Sequence, residues 1–175
     1  PAVVADRDSA GSPQGFFDTS QELRKEEQTI SPLVRDRLVR ELSSSITQEE
    51  RYLTELRRTA ELLQNIIATY QSLATCSSAS FASDISSTQS ELSSIQTQIS
   101  ATQGLIAEMK KVQSEILQTF NSDTMQRLSI EAQELMADVA LETDILNTSS
   151  KNDSLSKRLE NLRNQLSQCQ STLPQ

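Results

Sequence analysis

Histidine and tryptophan are absent from the 175 residues, glycine occurs three times, proline four times and cysteine twice. Each shortage excludes something. Without histidine the chain lacks the commonest general base and the commonest metal ligand. Three glycines cannot supply a phosphate-cradling loop. Cys76 and Cys169 lie too far apart in sequence for a zinc or redox motif. Aromatic residues make up only 3% of the chain, and aromatics dominate the cores of compact mixed folds. Few turn formers and few rings point to an all-α protein built from long helices that pack through Leu, Ile, Val and Ala.

The formal net charge is −8. Bulk contact with nucleic-acid phosphates needs clustered Lys and Arg, so direct nucleic-acid binding is not expected. No apolar run is long enough to insert into a membrane. No charged-then-apolar leader opens the sequence. Pro1 is read as the residue left after removal of an initiator Met, and both thiols are expected to be reduced, in cytoplasm or nucleus. No cofactor and no small-molecule substrate is expected.

What the chain has in quantity is heptad spacing. Residues 1–30 carry two of the three glycines, with Pro1 and Pro13, and read as a flexible tail holding one apolar pair, Phe16-Phe17. Ser31-Pro32 is a helix start, Ser capping and Pro at the first helical position. From there an a/d pattern runs through Val39, Leu42, Ile46, Glu49, Leu53, Leu56, Ala60, Leu63, Ile67, Tyr70 and Ala74. Ten of these eleven residues are apolar, and Glu49 is the exception. The pattern predicts one long helix over 31–75. Residues 76–83 read as a turn or a weak helical stretch.

A second heptad begins at Ile85 and continues through Thr88, Leu92, Ile95, Ile99, Thr102, Ile106 and Met109, then drifts to Val112, Ile116 and Phe120. A break is expected near 121–124, where Asp123 and Gln126 match a capping box. Met125, Leu128, Ala132, Leu135, Val139 and Leu146 continue the spacing to residue 147. The polar run at 147–153 reads as a further break. A last helix, within 148–175, carries Leu155, Leu159, Leu162, Leu166, Cys169 and Leu173. The expected architecture is an elongated coiled coil, helical hairpin or bundle.

Glu131, Glu134, Asp138 and Glu142 share one face of the expected third helix and read as a solvated acidic surface. No Lys or Arg occurs from residue 59 through 109. Internal ion pairs are therefore not expected to set the pairing of the second helix, and Thr88 and Thr102 in its stripe fit a multi-helix assembly better than a self-paired dimer. The expected interface comprises Val39, Leu42, Ile46, Leu53, Leu56, Leu63, Ile67, Tyr70, Leu92, Ile95, Ile99, Met109, Val112, Ile116, Leu128, Leu135, Val139, Leu159, Leu162 and Leu166. Ser12 and Ser31, each before a proline, fit proline-directed phosphorylation. These features resemble, in a general way, small coiled-coil subunits of eukaryotic kinetochore and spindle assemblies. That resemblance implies a non-enzymatic scaffold subunit whose partners are other coiled-coil proteins, in a hetero-oligomer. A vesicle-tethering or membrane-trafficking bundle component is the alternative.

Overall fold

A computed structural model describes residues 32–172. The expected tail, its Phe16-Phe17 pair, Ser12, Ser31 and Leu173 lie outside the described residues. Within them the fold is all-α, 91% helical and without strands. Helix α1 spans Pro32–Cys76, α2 spans Ala82–Gln118, α3 spans Ser122–Ala137 and α4 spans Glu142–Ser171. The chain forms two compact units. Unit 1 takes residues 32–43 of α1 with 109–137, and unit 2 takes residues 44–108 with the chain from Asp138 onward.

In unit 2 the contact pairs fix the direction of each helix. Glu49 meets Thr102 and Tyr70 meets Phe81, so residue numbers rise along α1 as they fall along α2. The two are antiparallel, as the short connection at 77–81 requires. Arg51 meets Glu142, Thr59 meets Asn152, and Cys76 meets Cys169, at nearly constant separations of 91 to 93 residues. Helices α1 and α4 therefore run parallel. The register is marked by a buried polar group. Asn152, 2% exposed, donates from Nδ2 to the Glu55 carbonyl at 3.0 Å, and its Oδ1 accepts from the Thr59 hydroxyl at 2.5 Å. A buried amide left without partners costs about 1–3 kcal/mol, so sliding α4 along α1 is disfavoured.

The buried face of α1 is wider than an a/d stripe. Beside the heptad residues Leu53, Leu56, Ala60, Leu63, Ile67 and Tyr70, a second row of Thr59, Leu62, Ile66, Thr69 and Leu73 is also buried. Two adjacent rows need two neighbours, and unit 2 supplies them as α2 and α4. The core cluster draws on all three helices: Leu56, Leu63, Ile66 and Leu73 from α1, Ile95 from α2, and Leu155, Leu159 and Leu162 from α4.

Unit 1 is built on a smaller scale. Gln113 of α2 donates to the Val39 carbonyl and to the Ser43 hydroxyl of α1, and Arg35 donates to the Thr119 carbonyl at 3.1 Å. Those pairs make α1 and α2 antiparallel here too. Leu38, Leu42, Met109, Val112, Ile116, Met125, Leu128 and Ala132 are buried. The cap of α3 is Asn121, whose Oδ1 accepts the Thr124 N–H at 3.0 Å, instead of the expected Asp123.

Two expected boundaries are corrected. The polar run at 147–153 does not interrupt the chain. It lies inside α4, because α1 and α2 satisfy it: Asn152 is held by Thr59 and Glu55, and Lys151 pairs with Glu91 at 2.6 Å. The interruption falls instead at residues 138–141, which the heptad spacing had carried through. The helical phase restarts there, so Ile145 is buried and the expected Leu146 is exposed. The acidic quartet from Glu131 to Glu142 consequently does not share one helix. Glu131 pairs with Arg127, and Glu142 with Arg51.

The cysteines are not reduced thiols. Parallel packing of α1 and α4 brings Cα76 and Cα169 to 5.9 Å, and the pair forms a disulfide. Disulfides are rare in reducing compartments, so the expected pair of free thiols is withdrawn and no compartment is assigned. Among the described residues no helix is long and apolar enough to cross a membrane.

The two classes of leucine should respond differently to truncation. Leu63, 0% exposed, should lose about 2–5 kcal/mol of stability as Leu63→Ala. Leu146→Ala, at an exposed site of the same unit, should stay within about 0.5 kcal/mol of the parent. Urea titrations followed by circular dichroism measure both, and equal losses would contradict the assignment of the core.

Candidate functional site

The structure places the expected interface inside the chain itself. Leu42, Ile46, Leu53, Leu56, Leu63, Ile67, Tyr70, Ile95, Met109, Val112, Ile116, Leu128, Leu159 and Leu162 are buried by the chain's own helices. Val39, Leu92, Ile99, Leu135, Val139 and Leu166 are half-buried. Thr88 and Thr102 are also accommodated within the chain. The Thr88 hydroxyl donates to the Asp84 carbonyl, and Thr102 donates to the Glu49 carboxylate. Internal ion pairs do reach the second helix, contrary to expectation, because Lys151 of α4 supplies a cation for Glu91, which lies in the part of α2 before Lys110 that has none.

One polar site stands out in unit 2. Glu49, the single polar residue of the first heptad, is 3% exposed. Its Oε1 accepts the Ala140 N–H at 2.8 Å, and the neighbouring Gln48 donates to the Ala140 carbonyl at 2.5 Å. Both backbone groups of Ala140 were freed by the break between α3 and α4, and α1 satisfies both. Asp144 completes the restart of α4 by accepting the Leu141 N–H at 2.9 Å. Glu49, Tyr52, Thr102, Asp138, Ala140 and Asp144 line part of an open cleft of about 420 Å³. Burial pushes the Glu49 carboxyl above its usual range, and the Asp144 charge adds to that, against the lowering effect of the Ala140 and Thr102 hydrogen bonds. Tyr52 is likewise raised, first by burial and then by the charges of Asp144 and Glu49. The cleft holds carboxylates and a phenol, and the Glu49 and Asp144 carboxylates bond the backbone at the break. Among the described residues no three His, Cys, Asp or Glu side chains converge to hold a metal ion.

The other feature is a set of apolar side chains left in solvent. Seven large ones are exposed among the described residues, and five of them lie in unit 1: Leu33, Val34, Leu117, Phe120 and Ile130. Unit 1 contributes only 41 of the 141 described residues (32–43 and 109–137), so the exposure is concentrated there. All three helical segments of the unit take part. Phe120, 76% exposed, is fixed by the Arg35 guanidinium 5.2 Å from its ring centroid. Ile130 borders a shallow depression with Asp123, Gln126 and Arg127. Leu33, Val34, Leu117 and Ile130 fall outside the heptad pattern, whereas Phe120, expected at the end of the second stripe, is exposed instead of packed. No family model, curated protein or solved structure matches the chain.

The Glu49 site makes a pH prediction. A carboxyl raised in the folded state stabilises the fold when protonated and loses that contribution as pH rises through its folded value. Glu49→Gln keeps an acceptor for Ala140 and removes the buried charge. The variant should therefore be more stable than the parent at neutral pH, with the gap closing as pH falls toward about 4.5. Urea midpoints at several pH values test this. A gap that does not change with pH, or a less stable variant at neutral pH, would contradict it.

Proposed function

We propose that this protein is a non-enzymatic helical scaffold subunit that binds an apolar-faced helix of a partner protein through the exposed side chains of unit 1. The observation that carries the reading is the split between the two kinds of apolar residue. Most of the heptad leucines and isoleucines are buried or half-buried within the chain, Leu146 being exposed, whereas Leu33, Val34, Leu117, Phe120 and Ile130 remain in solvent on one unit. Exposed apolar side chains gathered on one part of a surface mark interaction sites. Their neighbours carry both signs of charge, Arg127 with Glu131 and Arg37 with Glu41, which suits the polar rim of a protein contact. A subunit of this kind fits the general resemblance to kinetochore and spindle components. The partner surface differs from the one expected of the heptads, because a seam already packed by its own chain has no free face to offer.

Chemical crosslinking in cells, read by mass spectrometry, tests the proposal with variants that leave the core intact. Crosslinks from Lys111, exposed on the α2 part of unit 1, should join it to a helical segment of another protein. Phe120→Asp combined with Ile130→Asp should abolish them without changing the circular dichroism spectrum. Leu146→Asp, at an exposed position of unit 2, should preserve them. Crosslinks unaffected by the double substitution would refute the proposed surface.

A further inference from the structure

Helix α4 is attached to unit 2 in two very different ways along its length. From Glu142 to Leu162 it is held by side chains. Ile145, Leu155, Leu159 and Leu162 are buried, Asn152 bonds to α1, Lys151 pairs with Glu91, and the Arg158 guanidinium donates to the Tyr70 hydroxyl at 2.8 Å. From Arg163 to Ser171 every residue is exposed except Leu166 and Cys169, which are half-buried. Side-chain hydrogen bonds at this end stay local: Ser171 donates to the Gln168 carbonyl and Thr172 to the Cys169 carbonyl. What ties the segment to the rest of unit 2 is Leu166, packed against the core cluster, and the Cys76–Cys169 disulfide to α1.

The parallel packing sharpens the contrast. Cys76 is the last residue of α1 and Cys169 lies in the last turn of α4, so the bond joins two helix C-termini. Such ends carry partial negative charge and are stabilised by cations. Neither helix has a basic residue in its last turn. The two ends therefore repel weakly, and the disulfide works against that repulsion. Both cysteines are half-buried, so a small thiol reaches the bond without prior unfolding of the core.

We propose that the Cys76–Cys169 disulfide is a redox-operated clasp that holds residues 163–171 of α4 against α1 and releases them on reduction. The step is thiol–disulfide exchange with a dithiol. One thiolate of the reagent attacks a sulfur of the pair and the S–S bond breaks. The second thiol of the reagent then resolves the mixed disulfide. The two cysteines gain two electrons and two protons and leave as thiols, while the reagent becomes a disulfide. In an oxidising setting the end of α4 is fastened. In a reducing one only the partial burial of Leu166 opposes separation, and the end of α4 comes away from α1. This device is independent of the unit 1 surface.

The experiment compares the full-length chain oxidised, reduced with dithiothreitol, and as Cys76→Ser with Cys169→Ser. Iodoacetamide with intact-mass detection should label no cysteine before reduction and two after it. Hydrogen exchange should then show residues 166–171 protected in the oxidised protein and exchanging about tenfold faster or more in the other two forms, while 148–162 stay protected in all three. Reoxidation should restore the slow rate. Labelling of both cysteines without reductant would overturn the proposal, as would equal exchange of 166–171 in all forms. Loss of 148–162 together with 166–171 on reduction would also overturn it, by showing a global crosslink instead of a local clasp.

Discussion

The width of the buried face on α1 is the constraint from which unit 2 follows. A helix with a single a/d row is satisfied by one partner. With Thr59, Leu62, Ile66, Thr69 and Leu73 buried beside the heptad row, α1 requires two. Helix α2 covers one side by returning antiparallel after five residues, 77–81. The other side is covered by α4, which runs parallel to α1, as the pairs Arg51–Glu142, Thr59–Asn152 and Cys76–Cys169 show. The long sequence separations of the α1–α4 contacts, the buried Asn152 and the Cys76–Cys169 pair are consequences of that arrangement.

Covering α1 in this way has a local cost at residues 138–141, where backbone groups lose their helical partners. Helix α1 offsets it with Gln48 and Glu49, which bind the carbonyl and the N–H of Ala140. A heptad position that would ordinarily hold Leu instead holds a carboxylate. Its burial is unfavourable to the charge, yet an unsatisfied backbone N–H in the same place would also be costly. The polar exception in an apolar stripe is thus the complement of an irregularity about ninety residues away.

Much of this was legible in the sequence. Scarce glycine and proline with sustained heptads specified an all-α chain, and Pro32 and the TCSSASF stretch marked the ends of α1 closely. The width of the stripe was also visible in the doublets Leu62-Leu63 and Ile66-Ile67, although an a/d reading alone passes over it. What was not legible depends on contacts distant in sequence. Residues 147–153 have poor helix propensity and are helical because Thr59, Glu55 and Glu91 satisfy them. Residues 138–141 have adequate propensity yet are not helical, and Gln48 and Glu49 satisfy the Ala140 backbone there. In both places tertiary hydrogen bonding overrides local preference. The pairing of Cys76 with Cys169 was hidden for the same reason, since only the parallel course of α4 brings them together. Glu49 was the one sequence-level hint of the break, and of the exposed residues of unit 1 only Phe120 fell on the heptad, where packing was expected.

Functionally, this shifts attention from the heptads to the surfaces they leave over. A chain that packs its own stripe leaves at its surface whatever is excluded from the core, here the apolar side chains of unit 1 and the lightly held end of α4. The claim beneath all of this is that the stripe of α1 is completed within one chain. Sedimentation equilibrium of the isolated protein across a wide concentration range, with circular dichroism at each concentration, tests it most directly. The account predicts a highly helical species with the 19.4 kDa mass of one chain throughout. Helicity that appears only as the mass rises to two or more chains would contradict it, because α1 would then be completed by a second molecule.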